Sequence, residues 1–394
     1  MSLNDTPLAN RIHIGIFGRR NAGKSSVINA MTGQSLAIVS DVAGTTTDPV
    51  LKTMELLPLG PVVIIDTPGL DDVGELGLMR VQKAYQILNK TDIAVVVIDG
   101  SVGMTEEDEK IIERIKEKKI PYVIVKNKMD LWEGEAEEKE NTISVSAATG
   151  QNIYELKELI GKLSPKEDES RKIVSDLLQQ GDFVVLVVPI DSAAPKGRLI
   201  LPQQQTIRDV LEAGASAIVT RDNELEETLR GLGKQPKLVI TDSQIFGKVS
   251  KIVPADVELT SFSILMARYK GDLEANVTGA RALEKLQDGD QVLISEGCTH
   301  HRQCEDIGTV KMPRWIQEYT GKQLEFHFTS GTEFPTDLSA YGLIVHCGGC
   351  TLNEREMKYR LKCAEDQNIP MTNYGICIAY MNGILERSIH PLGI

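Results

Sequence analysis

The sequence predicts an α/β fold built on a mostly parallel sheet, and three observations lead there. In the first third, short β-branched runs (Ile12 to Phe17, Val62 to Ile65, Ile93 to Ile98, Tyr122 to Val125, Thr142 to Val145) alternate with longer helical patterns. The loop after the first run reads Gly18-Arg19-Arg20-Asn21-Ala22-Gly23-Lys24-Ser25-Ser26, which is G-x-x-x-x-G-K-S at a strand-to-helix junction. At 394 residues the chain is also too long for one ordinary core, so two or three such domains are expected.

The first domain is expected over residues 1–165. A charged stretch opened by Ser164 and Pro165 reads as a linker over 166–178. A second α/β pattern follows over 179–262. Its strand candidates are Phe183 to Ile190, Ala217 to Val219 and Leu238 to Ile240, separated by helical stretches near Gln203 to Glu212 and Asn223 to Leu232. The last segment, 263–394, repeats the logic with strands at Gln291 to Ile294, Leu324 to Phe328 and Leu343 to Val345.

Composition narrows the function. Hydrophobic residues at 41% and charged residues at 25% suit a folded globular chain throughout. A formal net charge of -13 argues against a nucleic-acid partner, because phosphate binding relies on Lys and Arg that displace counterions. The first ten residues lack a basic and apolar leader, and the longest apolar runs are only strand-length, so the expectation is a cytoplasmic protein with no membrane contact. All six cysteines follow residue 297, a crowding that metal binding explains better than a disulfide framework in a reducing compartment.

The motifs along the first domain specify a nucleotide. Backbone N–H groups of the loop from Gly18 through Asn21, Ala22 and Gly23 to Ser26 would cradle phosphates at the positive end of the next helix. Lys24 would neutralise the β and γ oxygens, and Ser25 would hold Mg²⁺. Asp66-Thr67-Pro68-Gly69 places Asp66 to reach that Mg²⁺ and the Gly69 N–H to face the γ-phosphate. Asn127-Lys128-Met129-Asp130 supplies a carboxylate, Asp130, for the two N–H groups on the Watson–Crick edge of guanine, which adenine lacks. Ser146-Ala147-Ala148 completes the base-binding end. Within Gly44-Thr45-Thr46-Thr47-Asp48, Thr46 or Thr45 is the expected Mg²⁺ ligand that senses the γ-phosphate. Four spaced motifs in this order resemble the GTPase superfamily. Leu70 stands where Ras-like members carry a water-orienting Gln, so hydrolysis needs another device. Asn21 resembles the K⁺ ligand of the potassium-activated tRNA-modification GTPases, which implies a cation supplying transition-state charge, although their Arg is Thr47 here. Glu75 is the candidate for orienting water, and a merely solvated carboxylate is the competing reading.

The cysteines define a second site. Cys298-Thr299-His300 and His346-Cys347-Gly348-Gly349-Cys350 each follow a strand candidate, at the edge of an open sheet where ligands collect. Three thiolates and an imidazole suit a closed zinc site. Three thiolates alone suit a [4Fe-4S] cube with one exchangeable iron. Cys363 and Cys377 read as packing residues, and His301 as a residue outside the metal's shell.

Together, C-x-H, then H-C-x-x-C, behind a potassium-type GTPase domain resemble the GTPases that mature [FeFe]-hydrogenase, the HydF family. The resemblance spans the chain. It implies a GTPase domain, a small α/β dimerisation domain forming a homodimer, and a C-terminal α/β domain binding a [4Fe-4S] cluster. It also implies a scaffold that receives a diiron precursor from two radical-SAM maturases and delivers it to the apo-hydrogenase. Cys298, Cys347 and Cys350 carry over as ligands, with His300 and His346 as candidates for the fourth position and a water or an acid from outside the pattern equally open. An RNA-processing or ribosome-associated GTPase with structural zinc is the alternative, disfavoured by acidity and by aromatics at 5% and scattered.

Overall fold

The computed structural model describes residues 8–33, 50–57, 59–71, 74–131, 141–164, 172–190, 199–297, 306–331 and 333–394. They divide into two compact units between Glu167 and Asp168.

The first unit holds strands β1 (Ile12–Phe17), β2 (Val50–Leu56), β3 (Gly60–Asp66), β4 (Ile93–Asp99), β5 (Tyr122–Asn127) and β6 (Thr142–Ser144) in the order β2-β3-β1-β4-β5-β6. All pairings are parallel except β2 with β3. The central strands are apolar on both faces because helices cover both. Helices α1 (Lys24–Thr32) and α4 (Ile153–Lys162) bury Val27, Ile28, Leu156 and Ile160 on one side. Helices α2 (Gly74–Ile87) and α3 (Glu106–Glu117) bury Ala84, Ile87, Ile111 and Ile115 on the other. Each such buried aliphatic side chain contributes roughly 1.5–3 kcal/mol. Strand β2 was not legible as a strand: Val50 and Leu51 lie exposed on an edge, and Lys52 and Glu55 break the β-branched signal.

The second unit contains two parallel four-stranded sheets. One is ordered β10-β9-β7-β8, from β7 (Phe183–Val187), β8 (Ser216–Thr220), β9 (Leu238–Thr241) and β10 (Glu258–Ser261). The other is ordered β12-β11-β13-β14, from β11 (Gln291–Glu296), β12 (Glu325–Ser330), β13 (Tyr341–His346) and β14 (Met371–Asn373). Helices α5 (Leu201–Glu212), α6 (Leu225–Gly231) and α7 (Phe246–Ile252) serve the first sheet. Between the sheets run α8 (Phe262–Lys270) and α9 (Leu273–Arg281), and after them α10 (Met312–Thr320), α11 (Glu354–Asp366), α12 (Tyr374–Met381) and α13 (Leu385–Ile389).

The segments expected as separate domains, 179–262 and 263–394, each own a sheet but share a core. Val185 and Val187 of β7 pack in one cluster with Val277 of α9, Ile376 and Ala379 of α12, and Leu385 and Ile389 of α13. Two glycines permit the close crossings. A Cβ at Gly279 of α9 would stand 2.0 Å from the Met371 carbonyl oxygen, and one at Gly375 would stand 2.2 Å from Ser263 Cβ. Cys377 is wholly buried in the core beneath β11 and β13, and burial pushes its thiol up to about 12. Cys363 packs, half-buried, beside Leu361 and Ala364 of α11.

Strands β11 and β13 pair in register from Val292↔Leu343 to Ser295↔His346. Arg360 of α11, with no exposed surface, ties their ends together. Its guanidinium donates to Glu356 Oε1 (3.0 Å), Ser295 Oγ (3.3 Å), His346 Nε2 (3.0 Å) and the Gly331 carbonyl (2.7 Å), and lies 5.1 Å from the centre of the Phe334 ring. Removing one partner of a buried, hydrogen-bonded pair leaves an uncompensated charge. Arg360→Ala is therefore expected to lower stability by about 3–5 kcal/mol, measured as a drop in the urea midpoint at unchanged slope. A loss under 1 kcal/mol would contradict the clamp.

Candidate functional site

The described residues expected to bind nucleotide meet at the carboxyl ends of β1, β3, β5 and β6. Gly18 leaves β1 at φ +143°, where a Cβ would stand 2.2 Å from the Val97 carbonyl oxygen of β4. Gly23, at φ +91°, passes so close to Asn127 that a Cβ would lie 2.1 Å from its Nδ2. Both positions demand glycine, for conformation and for space. The buried Lys24 reaches back over the loop, its Nζ donating to the carbonyls of Gly18 and Arg19 at 2.9 Å each. Ala22 is buried, Ser26 half-buried, and Asn21 exposed at φ +61°. Arg19 is anchored from below by Asp108, a fully buried carboxylate in the first turn of α3, at 3.4 Å.

Ser25 Oγ donates to Asp66 Oδ2 at 3.2 Å. Burial raises the Asp66 carboxyl above its ordinary range against the opposing pull of Lys24, Ser25 and Lys52. A half-buried carboxylate beside a hydroxyl is a hard-oxygen pair that suits Mg²⁺, whose charge would offset that burial. Next along, the Arg20 N–H donates to Asp71 Oδ1 at 2.6 Å and the Leu70 N–H to the Gly18 carbonyl at 3.4 Å, which docks the Gly69 turn against the phosphate loop. The Leu70 side chain is buried in the core, and an aliphatic side chain has no group to orient water. Glu75 stands in the first turn of α2, its side chain outside the described residues, as are Thr45, Thr46 and the rest of Gly44 to Asp48.

At the base end, Asn127 works as a bridge. Its Nδ2 donates to the Ala22 carbonyl (3.1 Å) and its Oδ1 accepts from the Ala147 N–H (3.1 Å). Lys128 sits at φ +66° and its Nζ donates to Asp99 Oδ2 at 2.6 Å. Burial acts to raise the Asp99 carboxyl, but hydrogen bonds from Lys128 and Ser101 together bring it below the ordinary range. Asp130 is exposed, oriented by the buried Ser146 hydroxyl at 2.5 Å, and Ala148 lies exposed beside it. Asp99 and Asp108 escaped the sequence reading because each acts through a neighbour and belongs to no spaced motif.

The second site lies where β11 and β13 end. The Gly297 N–H, one residue before Cys298, donates to Cys347 Sγ at 3.0 Å, and the Gly349 N–H approaches the same sulfur at 3.4 Å. Thr351 Oγ1 donates to the Gly297 carbonyl at 2.8 Å, closing the two loops on each other. Burial and the neighbouring Cys347 raise the Cys350 thiol, while Lys270 and the N–H groups of Cys350 and Thr351 favour its thiolate. Cys298 and His300 lie outside the described residues, and among the described residues no group of three or more His, Cys, Asp and Glu gathers as a metal site. His346 differs from the expected ligand. It is fully buried, Nδ1 is 2.6 Å from the Cys347 carbonyl and Nε2 is 3.0 Å from Arg360. A proton on Nδ1 then satisfies the carbonyl and the Nε2 lone pair accepts from arginine, so neither nitrogen has a lone pair to offer a metal in this arrangement. Arg360 was unreadable in advance because an arginine in the charged run Glu354 to Lys362 looks like part of a solvated helix face.

Three family models match the chain in order. Residues 13–128 match a model described as a 50S ribosome-binding GTPase. Residues 173–271 match the hydrogen maturase F dimerization domain, and 274–391 the hydrogen maturase F tetramerization domain. The chain belongs to the hydrogen maturase F family. Its first unit makes this maturase-family chain a GTPase, and its two following domains make it one that self-associates. The GTPase part is similar to the tRNA modification GTPase MnmE of Aquifex aeolicus, 37% identical over 167 residues, covering 41% of this chain and 37% of the relative. It is likewise similar to GTPase Der of Wolinella succinogenes, 37% identical over 188 residues, covering 43% of this chain and 39% of the relative. The chain thus spans well under half the length of these curated relatives. A crystal structure of Era from Aquifex aeolicus bound to GDP.AlF4- aligns with TM-score 0.36 and 23% identity, over 56% of this chain and 98% of that one. No helix among the described residues is long and apolar enough to cross a membrane.

Hydrogen bonds to a charged acceptor contribute about 1.5–3 kcal/mol each. Asp130→Ala is accordingly expected to weaken GTP binding at least tenfold in calorimetric titration and to leave the weak affinity for ATP unchanged. Equal loss for both nucleotides would indicate a disrupted fold and not a lost base contact.

Proposed function

We propose that this hydrogen maturase F chain is a GTP-hydrolysing scaffold that holds a [4Fe-4S] cluster on Cys298, Cys347 and Cys350 and hands a diiron precursor to apo-[FeFe]-hydrogenase. One observation carries the reading: the backbone immediately before Cys298 donates a hydrogen bond to the sulfur of Cys347. The parallel pairing of β11 and β13 brings the backbone that leads into Cys298 up to Cys347, which supports a shared site for cysteines far apart in sequence. The donor set fits the group. Backbone N–H groups directed at a sulfur and a buried ammonium at the same place favour anionic thiolate over thiol, the form that binds soft metal.

Three thiolates on a four-iron cluster leave one iron free to exchange ligands, which is the property a carrier needs. With His346 engaged by Arg360 and the Cys347 carbonyl, the fourth position falls to His300 or to an incoming ligand. The diiron unit, supplied by two radical-SAM maturases, is the cargo, and the self-associating second unit presents the site. In the GTPase unit, Lys24 and the loop N–H groups hold the phosphates. Ser25, Asp66 and Thr46 would hold Mg²⁺, Asn21 would hold K⁺, which would supply positive charge in the transition state, and Glu75 would orient water. The chain works in the cytoplasm, without nucleic acid or membrane.

Two experiments test this. Protein purified without oxygen is expected to be brown and to carry about four irons and four sulfides per chain, and Cys347→Ser to lose both the colour and the activation of apo-hydrogenase. Zinc in place of iron, or activation by the variant, removes the scaffold. Separately, turnover is expected to be faster in K⁺ than in Na⁺, with the difference abolished in Asn21→Ala; equal wild-type rates in both salts eliminate the potassium role.

A further inference from the structure

Lys270 ends α8 as the last residue but one of the dimerization-domain match, yet it faces the cysteine loop of the following domain. It is 6% exposed, and its Nζ donates to the Leu352 carbonyl at 3.3 Å, two residues beyond Cys350. Lys270 lines a small cavity together with Asn276, His346, Cys347, Met357 and Asn373. The two asparagines are already committed, Asn276 to the Asp272 carbonyl and Asn373 to the Ser263 carbonyl. No carboxylate among the described residues pairs with Lys270, whereas the fully buried Arg360 has Glu356. An ammonium taken out of water costs several kcal/mol unless a negative charge faces it. Among the described residues, the groups beside it that could carry a negative charge once deprotonated are the sulfurs of Cys347, in the same cavity lining, and Cys350.

We infer that Lys270 is the built-in counter-charge of an anionic metal–thiolate centre at Cys347 and Cys350, so the dimerization domain contributes an electrostatic residue to the metal site. The inference rests on the cluster reading above and goes beyond it by adding a residue that never touches the metal. Its direction follows from Coulomb's law. Reduction adds one negative charge to the centre, and a fixed positive charge nearby favours the reduced state.

The test compares wild type with Lys270→Met, which keeps length and removes charge, and with Lys270→Arg, which keeps charge. After anaerobic reconstitution with iron and sulfide, the cluster potential is measured by redox titration followed by electron paramagnetic resonance. Lys270→Met is expected to favour the reduced state about tenfold less, a shift of about 59 mV to more negative potential, with Lys270→Arg close to wild type. A purely structural role predicts no such split between the variants. As a second readout, the metal-free Lys270→Met protein is expected to melt above metal-free wild type, and to lose that advantage after reconstitution. Unchanged potential in Lys270→Met with a normal wild-type cluster overturns this inference alone. Wild type that takes up no iron overturns the cluster reading, and this inference with it.

Discussion

Everything at the second site depends on two parallel strands being locked in one register. Ser295 of β11 and His346 of β13 sit opposite each other, and the side chains of both accept hydrogen bonds from one buried guanidinium. A slip of one residue would turn every side chain of β13 to the other face. It would expel Arg360 from its partners and move Cys347 away from the Gly297 N–H. The hydrogen bond that brings the two cysteine loops together is therefore a product of sheet register, and the register is held by Arg360 in a core where its charge has nowhere else to go. His346 belongs to this supporting layer. Its ring spans from the arginine to the carbonyl of Cys347, so the backbone that presents the sulfur is itself held by a side chain.

In the GTPase unit, too, the residues proposed to meet a ligand are backed by others that hold them. Lys24, Ser25, Asp66 and Asp130 are the residues proposed to meet the nucleotide and its Mg²⁺. Behind them stand Asp108 on Arg19, Asp99 on Lys128, and Ser146 on Asp130. Each supporting contact fixes a flexible side chain before any ligand arrives, which reduces the ordering entropy that binding must overcome.

The parallel strands and the phosphate loop were legible because their signals are local: β-branched runs bounded by turn residues, and a spaced motif whose glycines answer to backbone geometry at Gly18 and Gly23. The edge strand β2 and the short strands β10 and β14 were not, since exposure, charge or brevity removes the apolar alternation. Cys347 and Cys350 could be picked out by spacing, while Lys270 and Arg360 could not. A cation in a helix reads as a solvated residue until the tertiary packing that buries it is known. The shared core of the second unit was hidden for a related reason. Its closest crossings run through Gly279 and Gly375, and a glycine in a helix carries no sequence sign of the backbone it admits.

The bridge made by Asn127 has a consequence for nucleotide exchange. One amide group is bonded on one side to the Ala22 carbonyl of the phosphate loop and on the other to the Ala147 N–H of the guanine loop. Neither loop can shift without straining or breaking a bond to that shared side chain. Loosening of the base and loosening of the phosphates are thereby coupled, and a partner protein that pried at the Ser146 loop would act at a distance on the triphosphate. An exchange factor for this GTPase would need no direct access to the phosphates at all.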